Sequence, residues 1–107
     1  MKPNEYQKLS MKTANNLTKI ELIENGVLGL CGESGEIADI LKKYKFQGHK
    51  LDKIHMAKEL GDVLWYAAIL AEGLETDLET VMKDNIKKLE KRYPNGFEVE
   101  KSINRVK

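Results

Sequence analysis

Apolar residues along this chain recur at intervals of three and four, and nowhere do they alternate as a half-buried strand requires. The only prolines are Pro3 and Pro94, one near each end. The pattern between them predicts four helices. The first begins near Asn4, turns Tyr6, Leu9 and Thr13 inward, and stops near Asn15-Asn16, residues that favour caps and turns. Thr18-Lys19-Ile20-Glu21 reads as a capping box that opens the second helix. That helix runs to about Tyr44 and carries Leu30, Ile37, Ile40, Leu41 and Tyr44. Its glycines at 26, 29, 32 and 35 each cost roughly 1 kcal/mol relative to alanine. They mark either a broken helix start near Gly26 or close contact with a neighbour. Phe46 to Lys50 is a loop, and Asp52 caps a third helix that stops at Gly73. Thr76-Asp77-Leu78-Glu79 reads as a second capping box, opening a fourth helix that Pro94-Asn95-Gly96 ends. The last dozen residues are polar and predicted irregular.

Four helices with short connections predict an all-α fold, an antiparallel four-helix bundle in one domain spanning residues 1–107. The third helix is apolar around its whole circumference from Val63 to Ala71, so it must be covered on every side. A chain this small struggles to do that alone. The expectation is therefore a homodimer or homotetramer, with a second copy packed on Trp65 and Ile69.

Composition narrows the function. Among 107 residues acids and bases nearly cancel, leaving a formal net charge of +1, which gives no support to a nucleic-acid or membrane partner. The single Cys31 cannot form an internal disulfide, the N-terminus does not resemble a signal peptide, and the longest apolar run is too short to span a bilayer. These features point to the cytoplasm.

The chemistry lies in two matched stretches, Glu33-Ser34-Gly35-Glu36 and Glu59-Leu60-Gly61-Asp62. Each pairs two acids at i,i+3, which places both carboxylates on one helix face. Both pairs border the apolar stripes instead of lying opposite them. Two unit charges about 5 Å apart at an effective dielectric of about 20 repel by roughly 3 kcal/mol. Four acids brought together therefore call for protonation, splaying or a cation. An all-carboxylate ligand set suits Mg²⁺, or Mn²⁺. A di-iron bundle would carry Glu-x-x-His on two helices, and neither pair has a histidine there. Gly35 and Gly61 are expected to let the helices approach closely where the acids meet. The plainer reading is ordinary surface charge, since 33% of the chain is charged.

The doubled motif, with twenty-two residues between its halves, resembles the metal-binding signature of the all-α nucleoside triphosphate pyrophosphohydrolases, and most closely their MazG-like branch. Leu28 to Glu36 is similar to that branch's first motif, and Glu59 to Tyr66 to its second. Asn85, Lys88, Leu89 and Arg92-Tyr93-Pro94 with Gly96-Phe97 are similar to its third. The resemblance implies an oligomeric helical bundle that uses Mg²⁺ to hydrolyse a nucleoside triphosphate to the monophosphate and pyrophosphate. It implies Glu33, Glu36, Glu59 and Asp62 as metal ligands.

Helix geometry adds substrate candidates. On the fourth helix Asn85 and Arg92 fall within the stripe of Leu78, Met82, Ile86 and Leu89, and Lys88 flanks it. Inward polar groups need partners. A phosphate chain is one, with Lys88 and Arg92 holding the departing pyrophosphate; a structural ion pair from Arg92 to a bundle carboxylate is the other. Lys43 is a further phosphate candidate, and Tyr66 a contact for sugar or base. His55, one turn before Glu59, reads as an exposed helix-start histidine, and Cys31 and His49 show no catalytic pattern. In the catalytic reading a glutamate of the first pair, Glu33 or Glu36, positions or deprotonates the attacking water. Two alternatives accompany it: a narrower pyrophosphohydrolase for deoxypyrimidine nucleotides or phosphoribosyl-ATP, and a non-enzymatic helical interaction protein.

Overall fold

A computed structural model describes residues 1–105. The chain forms α1 (Pro3–Ser10) with a 3-10 turn after it (Met11–Thr13), then α2 (Lys19–Phe46), α3 (Lys53–Gly73), α4 (Leu78–Arg92) and a short α5 (Val99–Ile103). No strand occurs among the described residues. The tail predicted to be irregular thus contributes a fifth helix.

The helix starts follow from local chemistry. Pro3 opens α1, where its missing N–H would have no partner anyway. At α2 the predicted capping box forms: Thr18 Oγ1 accepts the Glu21 N–H at 3.3 Å, and Glu21 Oε1 accepts the Thr18 N–H at 2.9 Å. These bonds hold the Glu21 carboxyl below its usual pKa. Asp52 caps α3 by accepting the His55 N–H at 3.0 Å. The box expected over Thr76 to Glu79 does not form. Asp77 is the cap instead, taking the Thr80 N–H at 2.8 Å. The Glu79 carboxylate is drawn away to the backbone N–H of Asn4, at 3.1 Å.

The centre of the molecule is the antiparallel pair α2 and α3. A Cβ on Gly26 would stand 2.7 Å from Leu70 Cβ, and one on Gly29 would stand 2.1 Å from the Tyr66 ring. One on Gly73 would meet Ile23 Cγ1 and the Lys19 carbonyl at 2.9 Å. The helices approach where glycines remove the side chain, and α2 is unbroken through Gly26. Gly35 and Gly61 do not act this way. A Cβ at either meets nothing within 4 Å, so the expectation that they close the helices around the acids is corrected.

α1 packs on α3 and on the start of α4. Its buried residues are Gln7 and Ser10, with Ala14 just beyond, whereas Leu9 is 44% exposed and Thr13 is exposed. Polar residues face inward here because they answer backbone groups. Gln7 Nε2 donates to the Thr76 carbonyl at 3.0 Å and to Glu72 Oε1 at 3.1 Å, and Gln7 Oε1 accepts the Leu78 N–H at 2.8 Å. Asn4 Oδ1 accepts the Glu79 N–H at 3.0 Å. Together these bonds fasten α1 to the α3–α4 corner.

The core gathers Ala14, Leu22 and Ile69, with Met11, Leu17, Trp65 and Tyr66 against them. Ile69 is fully buried by its own chain, and Trp65 Nε1 donates to Thr13 Oγ1 at 2.9 Å. Ile69 is therefore not left for the subunit contact foreseen there, whereas Trp65 is only partly buried. More uncovered apolar surface lies elsewhere. On α4, Met82, Ile86 and Leu89 are 53%, 54% and 39% exposed. The hairpin also leaves Leu28, Leu60 and Leu64 exposed. The radius of gyration is 16.8 Å. A compact chain of this length would measure about 13 Å. Packing is bundle-like for α1, α2 and α3, while beyond the half-buried Leu78 the stripe of α4 has no cover among the described residues.

Candidate active site

The register of the hairpin sets the site. Gly26 lies opposite Leu70, and Gly29 lies opposite Tyr66. The same antiparallel register carried one and two turns further brings Glu33 level with Asp62, and Glu36 level with Glu59. Glu33, Glu59 and Asp62 each offer a carboxylate oxygen, and the three atoms lie within 4.8 Å of one another. Glu33 and Glu59 are half-buried and Asp62 is exposed. Glu36 stands outside this tight trio, near enough to Glu59 for that carboxyl to raise its pKa.

Glu33 Oε2 and Glu59 Oε2 are buried and have no hydrogen-bond partner. Such atoms are rare and expensive, and here two acceptors face one small volume. The electrostatics follow. The Glu33 carboxyl is pushed up to about 7, first by a hydrogen bond with Glu59, then by burial and by the charges of Glu36, Glu59 and Asp62. An interaction of its own with Glu59, by hydrogen bonding and then by charge, raises Glu36. Glu59 is the acceptor of the group, held low by hydrogen bonds with Glu33 and Glu36 and, after them, with His55. Left to itself, the cluster lowers its repulsion by keeping protons between the helices. A hard divalent cation would do the same and would also satisfy the two orphaned oxygens. The donor set fits such an ion, with Glu33, Glu59 and Asp62 as ligands and Glu36 beside them.

The remaining candidates are scattered. His55 is more than an exposed helix-start residue: its Nε2 lies 3.1 Å from Glu59 Oε1. A partner of this kind orients a ligating carboxylate. Lys43 lines a cleft that opens beside Glu36, and its Nζ pairs with Asp39 at 3.0 Å. Lys42, on the other side, pairs with the same carboxylate at 3.1 Å, and the two lysines lower the Asp39 pKa. Tyr66 is half-buried, with its ring over Gly29 and edge-on to Trp65 at 5.1 Å. α4 does not point its polar groups inward as the helical wheel suggested. Asn85 and Lys88 are exposed, and the cleft beside the acids contains no α4 residue. Arg92 is half-buried and engaged by other groups of the chain.

Sequence reasoning passed over Asp39, His49 and Lys50, which line the same cleft. Asp39 had a visible signal, because it continues the three-residue spacing of Glu33 and Glu36. His49 and Lys50 had none, because a loop has no periodicity to read. Among the described residues no helix is long and apolar enough to cross a membrane.

Comparison with known proteins gives two findings. The profile of the family described as "MazG nucleotide pyrophosphohydrolase domain" matches residues 23–97, which include both acid pairs. The Gene 37 protein of Mycobacterium phage L5 is 37% identical over 87 residues, covering 78% of this chain and 76% of that protein. No solved structure matches significantly.

Proposed function

The chain belongs to the MazG nucleotide pyrophosphohydrolase family, and from that premise we propose that it hydrolyses nucleoside triphosphates to the monophosphate and pyrophosphate with Mg²⁺, or Mn²⁺ in its place. The observation that carries this reading is the pair of buried, unpartnered oxygens, Glu33 Oε2 and Glu59 Oε2, within a trio of converging carboxylates. Surface charge alone would leave such oxygens in water, so the same observation weighs against a purely interacting helical protein.

In this mechanism Glu33, Glu36, Glu59 and Asp62 hold the metal, and His55 keeps the Glu59 carboxylate in place. A bound Mg²⁺ supplies neutralising charge to the phosphate oxygens and acidity to nearby water. A glutamate of the first pair, Glu33 or Glu36, positions the attacking water and takes its proton at a carboxylate oxygen. The anhydride between the α- and β-phosphates breaks, the water oxygen stays on the monophosphate side, and pyrophosphate leaves. Lys43, Tyr66, Asn85, Lys88 and Arg92 are the proposed substrate contacts. Those on α4 do not reach the acids within one chain, so they would serve in an assembly. The uncovered stripe of Met82, Ile86 and Leu89 supports a homodimer or homotetramer. The working place is the cytoplasm, with no nucleic-acid or membrane partner.

The test is a nucleotide panel with pyrophosphate detection, run with Mg²⁺ and after its removal by chelation. Hydrolysis of several triphosphates only with metal supports the reading. Turnover confined to deoxypyrimidine nucleotides or to phosphoribosyl-ATP selects the narrower enzyme. Full turnover in folded Glu36→Gln and Glu59→Gln proteins would sink the mechanism. Sedimentation of the wild type against Ile86→Asp tests the assembly, which the charge should dissociate.

A further inference from the structure

The turn between α2 and α3 carries cations that the acid trio does not use. A cleft of about 490 Å³ lies there, and Glu36, Lys43, His49, Lys50 and His55 are among its lining residues. It adjoins the acid trio, because Glu36 and His55, both in its wall, are neighbours of Glu59. From Glu36 to Lys43 along α2 is two helical turns, about 10 Å, a span suited to a polyphosphate chain.

The charges in the cleft are not equally committed. The Asp39 carboxylate is matched by Lys42 and Lys43, and that of Asp52 accepts the His55 N–H as the cap of α3. Lys50 has no ion-pair partner among the described residues, and its charge is open to a ligand. The loop is held where it is: the N–H groups of Gln47 and His49 both donate to the Lys43 carbonyl, at 3.0 and 3.2 Å. Gly48, at φ +73°, makes the bend. On the opposite side of the acids the helices are shut by Gly29 against Tyr66, so a ligand at the acids has no room between the helices there.

We infer that this cleft is the seat of the departing pyrophosphate, with Lys50 as its principal contact, Lys43 held ready by Asp39 and His49 beside them. The inference rests on the pyrophosphohydrolase reading of the acids and gives that reaction a direction. The terminal phosphates lie toward the α2–α3 turn, and the nucleoside stays outside the closed seam of Gly29 and Tyr66. It also moves the pyrophosphate from Lys88 and Arg92, where the sequence pattern put it, to residues of the hairpin.

The experiment uses the whole chain with Mg²⁺ and two probes, inorganic pyrophosphate and a nucleoside monophosphate, with binding measured by calorimetry and inhibition by kinetics. Lys50→Ala should weaken pyrophosphate about tenfold, the loss of one charge-assisted hydrogen bond. It should leave the monophosphate unchanged, and Lys50→Arg should restore most of the loss. Lys50 is exposed in a connection, so the fold is expected to tolerate both changes, and a melting curve checks this. Equal weakening of both probes, or weakening of neither, overturns the assignment. A wild-type protein that turns over triphosphates while Lys50→Ala binds pyrophosphate normally loses only the cleft. A wild-type protein with no turnover and no pyrophosphate binding loses the parent reading with it.

Discussion

At one end of the α2–α3 pair, Gly26, Gly29 and Gly73 bring the helices so close that a methyl group would collide. At the other end, Gly35 and Gly61 face open space, and Glu33, Glu36, Glu59 and Asp62 gather at the junction of the helices. The same two helices are thus closed by packing over one half and loaded with like charge over the other. The tight half holds the register that the charged half, left to itself, would push apart. Stability and chemistry are divided along one element pair, and changes made in the two halves should separate them.

The largest effect is expected in the tight half. Gly29→Ala places a methyl group inside the Tyr66 ring and should destabilise the fold by about 3 kcal/mol, read from urea unfolding. In the charged half Glu59→Gln should do the reverse. It should lower kcat/KM with Mg²⁺ by on the order of 100-fold, while metal-free melting falls much less than in Gly29→Ala, the loss being only that of the carboxylate that accepts from Glu33, Glu36 and His55. If Glu59→Gln melts as low as Gly29→Ala, the division is wrong. Outside the hairpin, Gln7→Ala strands the Leu78 N–H and the Thr76 carbonyl and should cost about 2 kcal/mol in the same unfolding experiment.

The charged half should also respond to pH. Glu33 is raised from an ordinary 4.5 to about 7, so between those values the folded chain binds more protons than the unfolded one. Metal-free stability should therefore fall as pH rises through that window and level off above it. The lowered Glu59 contributes stability that is lost only in more acid solution. Added Mg²⁺ must displace the shared proton, so its stabilising effect should grow with pH over the same range. Melting curves from pH 4.5 to 8, with Mg²⁺ and with chelator, check both slopes. The smallest effect is Gly35→Ala. With nothing within 4 Å, the methyl group should stabilise the helix by about 0.5–1 kcal/mol, opposite in sign to Gly29→Ala.

Much of this division was legible in the residues, and the rest was not for identifiable reasons. Thr18 with Glu21, and Asp52 with His55, declare their helix starts locally, so those caps were readable. The acid pairs were readable too, because i,i+3 spacing fixes a face. Which glycines touch a partner depends on what stands across the gap, and Gly29 and Gly35 look alike until Tyr66 is seen opposite the first. Hydrophobic periodicity picked Leu9 on α1 because it cannot register a buried Gln7, whose burial depends on backbone groups some seventy residues away. Periodicity also found the stripe of α4 but could not say which molecule covers it, and so Asn85 was placed inside a chain that leaves it exposed.

The fastening of α1 to the corner of α4 has a kinetic consequence. The bonds from Asn4 and Gln7 to residues 72–79 join points 65 to 75 residues apart, and closing so long a loop costs entropy in advance of any gain. They consist of hydrogen bonds, with little apolar burial to draw the ends together early. They should form only after the hairpin has brought the ends into line, on the native side of the folding barrier. Removing Gln7 should then speed unfolding and leave the folding rate almost untouched. The first helix would act as a latch on a structure already built.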